Sequence, residues 1–144
     1  MKIGALVVDT NVIVAGLIGA QPRSPPARIL DALLIGRVPY LLSVALLVEY
    51  RAVLLRPKIT RHHRLSATEV DSILEQLALN AIVVEEPIPS SPAPDPQDQH
   101  LWDLMHSRSG TVLVTGDHRL LGAKVAGQTI VSPAELLRRI PHCR

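Results

Sequence analysis

Short unbroken apolar runs alternate along this chain with stretches in which apolar residues recur every three or four positions. Ile3 to Val8 is the first such run and it stops at Asp9; Ala81 to Val84, Thr111 to Val114 and Thr129 to Val131 are shorter runs of the same kind. Runs without polar alternation read as parallel strands covered on both faces. Between them, Val44, Leu47, Val48, Leu54 and Leu55 follow helical spacing, as do Val70, Ile73, Leu74 and Leu77. Those positions predict two amphipathic helices with the named residues turned to the core. Strands and helices alternating in this order predict an α/β fold.

The helix starts carry their own signals. Ser66 with Glu69 three residues on makes a capping box, and Ser132, Pro133 and Glu135 supply a cap, a first-turn proline and a reciprocal acid. Asp95, Pro96, Gln97 and Asp98 open another helix, with Leu101, Leu104 and Met105 on one face and Gly110 as its stop. Five of the ten residues from Pro87 to Pro96 are proline, which predicts an extended connection inside one domain. With no internal repeat, 1–144 reads as a single domain.

Composition narrows the function. Hydrophobic residues make up 47% and charged residues 19%, so the chain buries a large aliphatic core and is not globally disordered. Aromatic residues are confined to Trp102, Tyr40 and Tyr50, too few to build the base-stacking platforms of single-strand binders. Cys143 has no second cysteine, which removes disulfides and Cys-based zinc sites and suits a reducing compartment. Lys2 and the brief apolar run before Asp9 do not make a secretory signal. Asp9, Thr10 and Asn11 interrupt the stretch from Ile3 to Ala20 and make it unsuitable as a membrane span. A cytoplasmic protein without a membrane partner is expected. The net charge of +2 permits a polyanion partner without demanding one. Arg56, Lys58, Arg61 and Arg64, with His62 and His63 among them, form the densest basic segment. It reads either as a solvated connection or as a nucleic-acid contact.

In a parallel α/β sheet the functional crevice lies beyond the carboxyl ends of the strands, so the first polar residue after each apolar run matters most. Asp9 ends the first strand, and Asp117 follows the Thr111 to Val114 strand after Thr115 and Gly116. An aspartate between apolar runs must be solvated, hydrogen-bonded or metal-bound; for Asp9 a helix N-cap is an equally simple account. Glu49 has Ala45, Ala52 and Val53 as its turn neighbours, an unusual setting for a surface glutamate, although Arg51 or Arg56 offers an ordinary ion-pair partner. Asp95 and Asp98 suit a first helical turn on dipole grounds alone. Taken together, Asp9, Glu49, Asp98 and Asp117, with Thr10, Ser43 and Thr115 as supporting hydroxyls, form a constellation that can hold a hard divalent cation. Such a cation activates water against a phosphodiester.

At this point the chain resembles PIN-domain proteins, in particular the VapC-like toxins of bacterial and archaeal toxin-antitoxin modules. The resemblance runs from about Ile3 to Leu137 and rests on Val7-Val8-Asp9-Thr10-Asn11-Val12, on Leu41-Leu42-Ser43 leading to Glu49-Tyr50, on Asp95-Pro96-Gln97-Asp98 before Leu101, and on Leu113-Val114-Thr115-Gly116-Asp117. It implies a PIN-like three-layer sandwich in which helices flank a central, mostly parallel sheet. It further implies that Asp9, Glu49, Asp98 and Asp117 are catalytic metal-binding positions, with Asn11 and Thr115 as polar support. Mg²⁺ or Mn²⁺, an RNA substrate, a homodimer and an antitoxin partner are implied with them. Two departures stand out. Relatives often carry a further acid where this chain has Arg119, and more acid where Gln97 and Gln99 stand, which leaves the contributions of Asp117 and Asp95 open.

Two rivals compete. A haloacid dehalogenase-type phosphatase also ends its first strand in Asp, but needs a second Asp where Asn11 stands and a hydroxyl where Ile13 stands. A PIN-like module that only binds RNA or protein would have no need of the acidic quartet.

Overall fold

A computed structural model of the protein describes residues 3–19, 21–123 and 129–140. Cys143 and Lys2 lie outside them. The unbroken apolar runs form β1 (Ala5–Val8), β4 (Thr111–Val114) and β5 (Thr129–Val131), a parallel sheet in the order β1-β4-β5. β1 and β4 are buried along their whole length, as expected of runs with no polar face. A second parallel pair, β2 (Leu41–Leu42) and β3 (Ile82–Val83), abuts β1 through a bridge between Leu6 and Tyr40 and a hydrogen bond from Leu6 N to the Pro39 carbonyl at 2.9 Å. Here one expectation fails. β3 is not buried: Ile82 and Val83 are 37% and 46% exposed, because β3 has only β2 beside it.

Helices flank the sheet. Two that the periodicity did not announce come first: α1 (Thr10–Ile18), entered directly from β1, and α2 (Pro25–Leu34), capped by Ser24 with proline in its first turn. α1 packs against α2 and against α3 (Val44–Leu54). On α3 the expected face holds at Leu54 and fails at Val44 and Val48. Leu46, Tyr50 and Leu54 are buried, whereas Val44 and Val48 are 60% and 61% exposed. Both sets satisfy an i, i+4 rule, and the choice falls to Tyr50, whose hydroxyl donates to the Val8 carbonyl at the end of β1.

The basic segment is neither an irregular connection nor part of the core. It forms α4 (Pro57–His63), with Arg64 beyond its end in the left-handed region at φ 59°, and it packs on α1 and α3. α5 (Ala67–Asn80) has the capping box on Ser66 and Glu69 and buries Val70, Leu74 and Leu77. The proline-rich connection is pinned by its backbone to α6 (Gln99–His106): Ser90 N donates to Asp103 at 2.9 Å and Ala93 N to Gln99 at 2.8 Å. α6 follows a 3₁₀ turn over Pro96–Asp98 and stops at His106, short of Gly110. Gly110, at φ 78°, turns the chain into β4 instead. α7 (His118–Gly122) and α8 (Pro133–Arg139) complete the order. Glu135 on α8 does not reach back to its cap through its carboxylate, which pairs with Arg138 and Arg139. Among the described residues no helix is long and apolar enough to cross a membrane.

Candidate active site

The register of the sheet builds one side of the site. Val8 pairs with Val114, so the residues that follow them, Asp9 and Thr115, emerge side by side. Asp9 is 8% exposed and Thr115 fully buried. Thr115 Oγ1 donates to Asp9 Oδ2 at 2.8 Å, and Asn11 Nδ2 donates to the same oxygen at 3.1 Å. Asp9 Oδ1 accepts from the Thr10 amide at 2.8 Å, so the side chain is the N-cap of α1 as well as a member of the cluster. The two readings of Asp9 are compatible. Asn11 in turn accepts from Gly116 N at 3.0 Å, and Thr115 Oγ1 accepts from Asp117 N at 3.0 Å.

Asp117 caps α7 through Arg119 N at 2.9 Å, and the Arg119 guanidinium stands 3.7 Å from its carboxylate. The residue that departs from the family pattern thus sits beside an acid of the site. Glu49 comes from α3. One of its expected partners is otherwise engaged: Arg51 pairs with Asp71 at 2.7 Å. Instead Glu49 accepts from the Thr10 hydroxyl and from His100 Nε2, the latter at 3.2 Å. Asp98 comes from the 3₁₀ turn before α6, and its carboxylate caps nothing.

Asp9, Glu49, Asp98 and Asp117 line one cavity of about 420 Å³. Thr10 and Asn11 complete its polar side; Val14, Ala15 and Ile18 of α1 and Val53 of α3 form an apolar wall. Asp95 does not line this cavity. It accepts from Gln97 N and lines an adjoining cavity of about 290 Å³ that it shares with Asp98, Asp117 and Arg119. Ser43 is spent on the N-cap of α3, accepting from Leu46 N at 3.1 Å, so it aims the helix that carries Glu49 and makes no bond to the acids. Arg56, Lys58, Arg61 and Arg64 are exposed and do not line the cavity.

The acids feel one another. Burial raises the Asp9 carboxyl above the ordinary value, an effect that the Thr115 and Thr10 bonds oppose and the charges of Glu49 and Asp117 reinforce. Asp98 is raised as well, by burial first and then by the charges of Asp9, Asp95, Asp117 and Glu49. Tyr50, buried beside the site, is held well above its usual range by burial and by Asp9 and Glu49. Yet among the described residues no three Asp, Glu, His or Cys side chains stand close enough to share one ion. Mg²⁺ retains several waters and takes one or two carboxylates directly, so this wider spacing of hard oxygen donors fits it.

The fold agrees with the comparison to known families: the PIN domain matches residues 5–119, and the chain belongs to that family, whose members are commonly nucleases. No curated protein matches the chain. Sequence reasoning missed His100 as a neighbour of the acids and met Arg119 only as a departure from the family pattern. A histidine two residues after Asp98, on the same helix start, was the available signal for the first.

Proposed function

We propose that this chain, as a single PIN domain over 1–144, is a cytoplasmic endoribonuclease that requires Mg²⁺ or Mn²⁺ and serves as the toxin of a toxin-antitoxin pair. The observation that carries the reading is the delivery of Asp9, Glu49, Asp98 and Asp117 from four separate elements into one cavity. Asp9, Glu49, Asp98 and Asp117 would supply the oxygens around the cation, one or two of them directly and the others through water. When bound, such a cation lowers the pKa of its water and stabilises charge on the phosphate oxygens during in-line attack.

The chain's own residues set the stage for that chemistry. Thr115 and Asn11 hold Asp9 in one orientation, and Thr10 holds Glu49. The apolar wall of Val14, Ala15, Ile18 and Val53 excludes water from one flank of an RNA strand and leaves its base without a hydrogen-bonding reader. The exposed cations Arg56, Lys58, Arg61 and Arg64, on and beside α4 and next to α1, are placed for backbone phosphates away from the cleavage point. Exposed Val44 and Val48 on α3 offer apolar surface to a second copy or to an antitoxin segment.

A non-catalytic RNA-binding reading draws on a different observation, the engagement of Glu49 by Thr10 and His100 with no three metal-ligating side chains, among the described residues, close enough to share an ion. Purified protein incubated with structured and unstructured RNAs, with Mn²⁺, Mg²⁺ or EDTA, separates them. Cleavage dependent on the cation is expected; cleavage that survives EDTA removes the mechanism, and metal-independent binding with no cleavage favours the binder.

A further inference from the structure

We propose that His100 is a positioning residue for Glu49, a role that rests on the nuclease reading above. Glu49 has no backbone donor of the kind that fixes Asp9. Its carboxylate is held by two side chains from two other helices, the Thr10 hydroxyl of α1 on Oε2 and His100 Nε2 of α6 on Oε1. His100 is the second residue of α6 and follows Asp98 by two positions, so one helix start both supplies an acid to the cavity and steadies another. Among the described residues no lysine or arginine lines this cavity; Arg119 stands beside Asp117 from the adjoining one. The four carboxylates repel one another there, so a Glu49 without these two donors swings toward water.

The imidazole geometry specifies the form that does this. His100 Nδ1 is buried and has no hydrogen-bond partner, while Nε2 faces a carboxylate oxygen at 3.2 Å. A neutral imidazole carries its single proton on one nitrogen. With the proton on Nε2 the carboxylate gains a donor and only a lone pair is buried at Nδ1. With the proton on Nδ1 a donor is buried without an acceptor and the Nε2 lone pair opposes the carboxylate. The Nε2–H tautomer follows, and through it His100 fixes the direction of Glu49, as outer partners of metal-site carboxylates do.

The test uses the full chain and two variants, His100→Leu, which removes the donor at similar bulk, and His100→Gln, which returns an N–H at similar reach. Mn²⁺ affinity is read by calorimetry, melting temperature in EDTA by circular dichroism, and the wild-type imidazole ¹⁵N shifts by NMR. The Leu variant should bind Mn²⁺ about tenfold more weakly, with Gln restoring most of the affinity. Both should melt with wild type in EDTA, and the ¹⁵N shifts should report Nε2–H. A Leu variant that binds Mn²⁺ as wild type does, a Gln variant no better than Leu, or an Nδ1–H tautomer overturns the role of His100 while leaving the nuclease reading intact. Wild-type protein that binds no Mn²⁺ overturns the nuclease reading and this role with it.

Discussion

The two sides of the acidic cavity are held in opposite ways. On the strand side, Asp9 follows β1 directly and Thr115 follows β4, so backbone pairing sets their separation and both oxygens of Asp9 are occupied by Thr10, Asn11 and Thr115. On the helix side, Glu49 and Asp98 arrive from α3 and the 3₁₀ turn, with Glu49 hung on two side chains and Asp98 capping nothing. A sheet edge fixes a carboxylate through a register that many residues enforce, whereas a helix fixes it only as well as its own rotation and its neighbours allow. The strand side is therefore a rigid half of the site and the helix side an adjustable one.

Removing side chains on the rigid half should cost the fold most. Asp9→Ala strips α1 of its cap and leaves Thr115 and Asn11 without their acceptor. A loss of about 3 kcal/mol in urea denaturation is expected, along with loss of cleavage and of the metal-induced rise in melting temperature. Thr115→Val keeps the shape and deletes a buried hydroxyl that serves Asp9 and the Asp117 amide, so about 2 kcal/mol is expected in EDTA. If either change proved neutral, the strand side would not be the rigid half. On the adjustable half, Ser43→Ala loosens the cap of α3 at a cost of about 1 kcal/mol. Its sharper signature should be weaker Mn²⁺ binding through misplacement of Glu49, and unchanged Mn²⁺ affinity would detach Ser43 from the site.

The same division explains what could be read from the chain alone. β1 and β4 are legible because parallel strands buried on both faces must be apolar throughout, and Asp9 and Asp117 are legible because they break or follow those runs. α1 is hidden by its position: its apolar residues continue the β1 run past three polar ones, and Val12, Ile13 and Val14 suit a strand as well as a buried helix. The buried face of α3 is hidden because residues 44 and 48 and residues 46 and 50 obey the same spacing, and long-range packing separates them: Leu46 and Tyr50 are buried, with Tyr50 bonded to the Val8 carbonyl. β3 reads as buried because apolar content does not reveal which strand lies at an edge. His100 escapes for the same reason, since its partner Glu49 lies fifty-one residues away and no local pattern links them.

The smallest expected effect tests the adjustable half most directly, because it asks whether an acid there is an electrical burden with no structural duty. The Asp98 carboxyl titrates in the fold above its ordinary value, through burial and then through its four acidic neighbours. Between the unfolded and folded values the folded chain holds more protons than the unfolded chain, so stability falls as pH rises through that window. Above the folded value the carboxylate is ionised in both states and the penalty is fully present; below the unfolded value it is gone. Asp98→Asn should therefore raise the melting temperature in EDTA at pH 7 by about 2 °C, roughly 0.5 kcal/mol, since Asn removes charge at nearly constant shape. The advantage should shrink as the pH is lowered. Asp71 and Glu135, whose carboxyls are held below their ordinary values by Arg51 and by Arg138 with Arg139, lose stabilising pairs as the pH falls below their own unfolded values. The difference between variant and wild type, with these pairs common to both, is thus the quantity to follow. Mn²⁺ should reverse the order, stabilising wild type more than the variant by mass action on the folded form. An Asn variant that is less stable than wild type in EDTA at pH 7 would show that Asp98 is anchored after all, and the contrast between the two sides of the cavity would disappear.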